Sequence, residues 1–195
     1  MKQAAVFLDR DGVLNADPGY INNPSDLHLY PFVAEAVRNF NQMGLKVIVV
    51  TNQSGIARGY LSLNTLRAIH QKMIDELAAQ KAIIDKVYFS PYHIDGHIAP
   101  YNVQHENRKP DIGMFKQACL DFDLDPSTSF MIGDRRSDMI FAYRAKITPI
   151  LVLTGDGIKD YIDDELYRQK DIAPRYVVQD ILVASWLIHD LIKDR

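Results

Sequence analysis

Apolar residues follow two different spacings along the chain. Short unbroken runs at residues 4–8, 46–50, 86–90, 130–132, 150–153 and 176–178 predict buried strands. Between them, apolar residues recur at helical spacing. Val33, Val37 and Phe40 share one face, and Leu66, Ile69, Met73 and Leu77 share another. Phe115, Ala118 and Phe122 predict a third helix, residues 139–145 a short fourth and 181–192 a C-terminal one. Gly44 supplies a stop after the first, and Ser62 or Asn64 a cap for the second. Strand and helix alternate throughout, which predicts an α/β fold: a doubly wound, Rossmann-like parallel sheet with helices on both faces.

Composition narrows this picture. The 195 residues are 47% hydrophobic and 24% charged, an ordinary globular balance that predicts a single domain over 1–195. Lys and Arg number 22 against 25 Asp and Glu, a net charge of −3, so the broad positive field of a nucleic-acid binder is missing and no nucleic-acid partner is expected. No apolar run approaches the ~20 residues that span a bilayer, and the N-terminal run is too short for a signal peptide. No membrane association, a cytoplasmic location and a monomer are the expectations. Cys119, the single cysteine, excludes an intrachain disulfide and reads as a core thiol.

In an open α/β sheet ligands bind beyond the carboxyl ends of the strands, and the residues there are unusual. The first strand runs into Asp9-Arg10-Asp11-Gly12-Val13-Leu14-Asn15, the second into Thr51-Asn52-Gln53-Ser54-Gly55 and the fourth into Gly133-Asp134-Arg135-Arg136-Ser137-Asp138. Asn107-Arg108-Lys109-Pro110 closes the irregular stretch 91–110. Asp9 and Asp134 suit a hard divalent cation of the Mg²⁺ type. Thr51 and Lys109 suit phosphate oxygens, and Asp11 is free to move a proton. Any one of these pieces is common as turn or capping chemistry. Four at successive strand ends point to phosphoryl transfer with an aspartyl nucleophile.

Asp9-x-Asp11-Gly12-x-x-Asn15, Thr51, Lys109 and Gly133-Asp134-x-x-x-Asp138 together resemble the four motifs of the haloacid dehalogenase superfamily of phosphatases. Phe7–Gly12, Asp17-x-Gly19-Tyr20, the stretch from Thr51 to Gly59 and Arg108-Lys109-Pro110 resemble the heptose 1,7-bisphosphate phosphatases within it, with histidinol-phosphate phosphatases sharing much of the pattern. The resemblance implies Asp9 as nucleophile, Asp11 as general acid and base, and Thr51 and Lys109 on the phosphoryl oxygens. It implies Mg²⁺ held by Asp9, Asp134 and the Asp11 carbonyl, with Asp138 standing behind the ion. For a small phosphorylated substrate it implies contacts from Asp17, Gly19, Tyr20, Asn52, Gln53, Ser54, Arg108 and Arg135. The substrate it implies is a heptose 1,7-bisphosphate losing its 7-phosphate; the alternatives are histidinol phosphate, a nucleic-acid 3′-end, or a phospho-ligand bound without catalysis. The presence of Asp9, Asp11 and Asp134 speaks against the last.

The spacing from Asn15 to Thr51, and from Thr51 to Lys109, leaves no room for a cap domain, so an open site is expected with 91–110 as its partial lid. Relatives in this family often carry a structural zinc in that stretch on a Cys-x-His and a Cys-x-Cys pair. Ser90, Tyr92, His105 and Asn107 occupy those positions here, and no zinc is expected. A substitute site on His93, His97 and His105 stays open. His28, His70 and His189 read as structural residues on loop or helix surfaces, and the amphipathic stretch around Trp186 as packed on the sheet.

Overall fold

A computed structural model describes residues 2–17, 19–163 and 172–193, with the Asp163 side chain left out. Six strands, β1 (Ala5–Leu8), β2 (Lys46–Asn52), β3 (Lys86–Ser90), β4 (Phe130–Gly133), β5 (Thr148–Val152) and β6 (Tyr176–Val178), form one sheet in the order β3-β2-β1-β4-β5-β6. Every pairing is parallel; Val6 pairs with Val47 on one side and with Phe130 on the other. The helices are α1 (Val33–Gln42), α2 (Leu63–Ala79), α3 (Gly113–Phe122), α4 (Arg136–Ala145), α5 (Gly157–Asp163) and α6 (Ile181–Lys193).

Alternate residues of the central strands serve two cores, which is why their runs are apolar without interruption. Val6, Leu8, Val47, Val49 and Ile132 pack with Phe40 of α1, Met73 of α2 and Ile188 of α6. Ala5, Phe7, Ile48, Val50 and Met131 pack on the opposite face with Phe115 of α3 and Phe141 of α4. Ser62 caps α2, its hydroxyl accepting from the Thr65 N–H at 3.0 Å. Gly44, with φ of +74°, takes the left-handed turn after α1 that a side chain would strain.

The stretch around Trp186 packs on the sheet through Ile181, Ala184 and Ile188, with Trp186 itself half exposed. Two points differ from the sequence reading. Helix α5 is not predicted by the apolar spacing, because Ile158, Tyr161 and Ile162 are all exposed and form no buried stripe. His70 is not on the surface of its helix but buried, at 6% exposure. Among the described residues no helix is long and apolar enough to cross a membrane.

Candidate active site

The chain leaves β1 to build β2 and β3 on one side, then returns to place β4 on the other. The sheet therefore switches direction between β1 and β4, where a crevice opens at the carboxyl ends of the strands. Asp9 and Asp134 follow those two strands. The Asp9 N–H donates to the Ile132 carbonyl at 3.0 Å, which extends the ladder and sets the two carboxylates side by side.

Asp9 is fixed from two directions. Its Oδ1 accepts from the Arg10 N–H at 2.7 Å, and its Oδ2 lies 2.8 Å from the Lys109 ammonium. The same ammonium lies 2.7 Å from Asp138 Oδ1, and Asp138 Oδ2 accepts the Arg135 N–H at the start of α4 at 3.1 Å. Burial pulls the Lys109 pKa down, but Asp138 and Asp9 outweigh it and hold the ammonium above the ordinary lysine range. Asp134 is fully buried. Its Oδ2 accepts from the Asp156 N–H at 2.9 Å, while its Oδ1 has no hydrogen-bond partner among the described residues.

Asp9, Asp134 and Asp138 offer oxygens within 4.8 Å of one another, a group of three carboxylates of which two, Asp9 and Asp138, meet the Lys109 ammonium. Burial, then the Asp9 and Asp138 charges, push the Asp134 carboxyl up to about 8. Burial likewise raises Asp138, although Lys109 offsets part of the effect. An unpartnered buried carboxylate oxygen and an excess of negative charge fit a divalent cation ligated by oxygen. Gly12 supports the same arrangement: a Cβ there would stand 2.0 Å from Asp134 Oδ2, and its φ is +82°.

Asp11 points elsewhere. The Arg10 guanidinium grips both its oxygens, at 2.8 and 2.7 Å from Nη2, and Asn15 and Gln53 each donate at 2.9 Å. Burial pushes the Asp11 carboxyl up, but Arg10 and these hydrogen bonds outweigh it and hold it below the usual carboxylate range. Gln53 Nε2 also donates to Thr51 Oγ1 at 2.9 Å, so one amide spaces the Asp11 carboxylate from the Thr51 hydroxyl.

A cavity of about 270 Å³ opens over this floor, with Asp9, Asp11 and Thr51 at its base. The other residues along its wall are Asp17, Gly19, Tyr20, Asn52, Gln53, Ser54, Arg108 and Arg135. The eight residues expected to contact substrate thus come together in one place. A larger groove, about 500 Å³, lies between α1 and α6 and contains none of the motif residues. Arg135 ties two loops across the cavity mouth, 2.7 Å from both Asp17 and Asp156. Arg108 donates to the Tyr92 carbonyl at 3.2 Å and has no carboxylate partner among the described residues. Asn52 spends both ends of its amide on the Lys109 backbone.

A HAD-hydrolase-like family model matches residues 106–184. A D-glycero-D-manno-heptose-1,7-bisphosphate 7-phosphatase from Thermosynechococcus vestitus is 41% identical over 192 residues, 96% of each chain. A D-glycero-beta-D-manno-heptose-1,7-bisphosphate 7-phosphatase from Rhodopseudomonas palustris is 39% identical over 172 residues, 88% of this chain and 95% of that one. The D,D-heptose 1,7-bisphosphate phosphatase of B. bronchiseptica, solved with magnesium and phosphate, superimposes over the whole of both chains with a TM-score of 0.83 and 30% identity. This chain belongs to the heptose-bisphosphate phosphatase family of haloacid dehalogenase-like hydrolases. It is a phosphatase on the parallel α/β fold that its sequence predicts.

The stretch 91–110 of this phosphatase is ordered by packing. The Tyr92 and His105 rings stack with centroids 3.8 Å apart and planes 3° from parallel, and Tyr101 leans on Tyr92 at 5.7 Å. His97 and Ile98 N–H groups both donate to the Ala57 carbonyl, which docks the stretch on the loop after β2. His93, His97 and His105 do not converge: no metal-holding group among the described residues contains them. His93 instead meets the Arg58 guanidinium at 3.3 Å. Sequence reasoning passed over Arg10, His70 and Asp156. For His70 a signal existed, since position 70 falls on the stripe of Leu66, Met73 and Leu77, where a polar residue needs a partner.

Proposed function

We propose that this phosphatase removes the 7-phosphate of D-glycero-D-manno-heptose 1,7-bisphosphate through an aspartyl-phosphate on Asp9. The observation that carries the reading is the placement of Arg108, a guanidinium with no carboxylate partner among the described residues, on the same small cavity as the Asp9–Lys109 pair. A bisphosphate supplies an anion at each end. Histidinol phosphate carries an ammonium where a sugar bisphosphate carries its second phosphate, and Arg108 would repel it.

Asp9 Oδ attacks phosphorus as the bond to the sugar oxygen breaks, and Asp11, ionised at rest, first takes up a proton from solvent and then gives it to that oxygen. Asp11 then takes a proton from the water that releases phosphate from Asp9. Lys109 holds the nucleophile in place and offsets its repulsion from an anionic substrate. Thr51 donates to a phosphoryl oxygen, with Gln53 fixing its hydroxyl. Asp9, Asp134 and the Asp11 carbonyl would hold Mg²⁺, which when bound spreads the charge that develops on the transferring group. Asp138 serves Lys109 and the head of α4, behind those ligands.

Arg108 grips the phosphate that stays, through a guanidinium suited to bidentate contact. Arg135 supports it from the opposite loop, and Asp17 with Tyr20 faces the sugar. The chain acts alone, as a cytoplasmic monomer on a small metabolite, and binds neither nucleic acid nor zinc. Phosphate release from heptose 1,7-bisphosphate, histidinol phosphate and a 3′-phosphorylated oligonucleotide, with Asp9→Asn as control, tests the reading. Release from the heptose ester alone, abolished by Asp9→Asn, is expected; equal rates for wild type and control would overturn it.

A further inference from the structure

Arg10 stands between the two motif aspartates, yet its side chain turns inward and is 1% exposed. Two of its nitrogens grip Asp11, Nε at 3.0 Å and Nη2 at 2.8 and 2.7 Å. The remaining arm, Nη1, lies 3.2 Å from Nε2 of His70 on α2. A guanidinium has only donors, so His70 Nε2 is the acceptor and the ring proton sits on Nδ1. The His70 ring leans on Phe89 of β3, with centroids 5.7 Å apart. Neither Arg10 nor His70 lines the cavity.

Burying an arginine is costly unless its arms are matched, so this pair is an expensive way to fill space. What it achieves is directional. The guanidinium plane sets where Asp11 sits, and His70 removes the rotation that would otherwise let guanidinium and carboxylate turn together. Asn15 and Gln53 complete the hold from the sides.

We propose that Arg10 and His70 are positioning residues for proton transfer by Asp11, with His70 anchoring the guanidinium that places the Asp11 carboxyl against the leaving oxygen. The proposal rests on the reading of Asp11 as general acid given above. It predicts a dependence on the leaving group. A sugar alkoxide needs a proton as it departs, whereas 4-nitrophenolate does not. Misplacing Asp11 therefore slows the first and spares the second. A displacement of ~1 Å at a reacting group costs on the order of 100-fold.

The test uses the full chain with Mg²⁺, single turnovers of heptose 1,7-bisphosphate and the initial burst of nitrophenolate from 4-nitrophenyl phosphate. His70→Leu is expected to slow the sugar ester by about 10-fold or more while changing the nitrophenolate burst by less than about two-fold. His70→Gln, whose amide oxygen can accept from Arg10, should restore both to within about three-fold of wild type. Should His70→Leu fail to fold by circular dichroism, His70→Asn, one methylene short of Gln, takes its place. Equal losses on both substrates, no loss on either, or a Gln variant no better than the Leu or Asn variant overturns the proposal. Asp11→Asn separates the two ideas. If it shows no leaving-group dependence, the general-acid reading falls and the proposal with it; if it does and the His70 variants do not, only the proposal falls.

Discussion

Asn52 and the backbone of Lys109 are joined by two reciprocal hydrogen bonds, Asn52 Nδ2 donating to the Lys109 carbonyl and the Lys109 N–H donating to Asn52 Oδ1, each at 3.0 Å. The end of β2 thereby fixes the residue whose ammonium holds Asp9. A residue on the cavity wall is at the same time a clamp on the lysine that pairs with Asp9.

Asn52→Ala removes both bonds at once. Each is worth about 1 kcal/mol net, so unfolding free energy should fall by roughly 2 kcal/mol. Because Lys109 loses its fixed backbone, kcat should fall by at least about 10-fold while Lys109→Met falls further. Urea melts and steady-state phosphate release check both; an Asn52→Ala variant with wild-type kcat would show that the clamp has no catalytic consequence.

The carboxylate group sets a dependence of stability on pH. Asp134 has a folded pKa of about 8 against an ordinary 3.8, so between those values the folded metal-free chain binds more protons than the unfolded one. The Asp134 contribution to the stability of chelator-treated protein should therefore decline as pH rises from about 4 to about 8, most visibly above 6.5, where His70 no longer opposes it. Mg²⁺ displaces that proton, so its apparent affinity should tighten by up to about 10-fold per pH unit in this range and level off above it. Melting temperatures at pH 6 and pH 8, with and without Mg²⁺, give the test. A stabilisation by Mg²⁺ that is the same at both values would count against the assignment.

His70 acts in the opposite direction. Burial, then the Arg10 charge, lower its pKa from 6.5 to about 3, so in acid the unfolded chain takes up a proton that the folded chain refuses. The His70 contribution to stability should fall by about 1.4 kcal/mol for each unit that pH drops below 6.5, down to about 3. His70→Gln carries no such proton and should flatten that part of the curve. Denaturant melts between pH 4 and pH 7 compare the two proteins; parallel curves would mean that His70 titrates normally.

Much of this was legible in the sequence, and for a physical reason. Strands buried on both faces leave unbroken apolar runs, and a parallel sheet places whatever follows them on one edge, so Asp9, Thr51 and Asp134 could be brought together without coordinates. Helix α5 was not legible because it buries no stripe. His70 escapes a reading that equates polarity with exposure, although its spacing from Leu66 and Met73 puts it on the inward face. The double duty of Asn52 was beyond reach, since it depends on how the stretch ending at Lys109 returns to β2.

The loop at 91–110 offers a last test. The Tyr92–His105 stack, with Tyr101 beside it, packs the stretch in which no zinc is expected, and Ser90, Tyr92 and Asn107 supply no thiolate. Purified protein should hold well under one zinc per chain after dialysis, and a chelator should leave its melting temperature in Mg²⁺ buffer unchanged once Mg²⁺ is restored. Tyr92→Ala removes the stack and should cost roughly 0.5–1.5 kcal/mol beyond the loss of buried area. The Arg108 guanidinium, which donates to the Tyr92 carbonyl, should lose its fixed position with it. KM for heptose 1,7-bisphosphate is therefore expected to rise more than kcat falls, if Arg108 holds the phosphate that does not react as proposed. Stoichiometric zinc, or a Tyr92→Ala variant with unchanged KM, would show that the loop is held and used in another way.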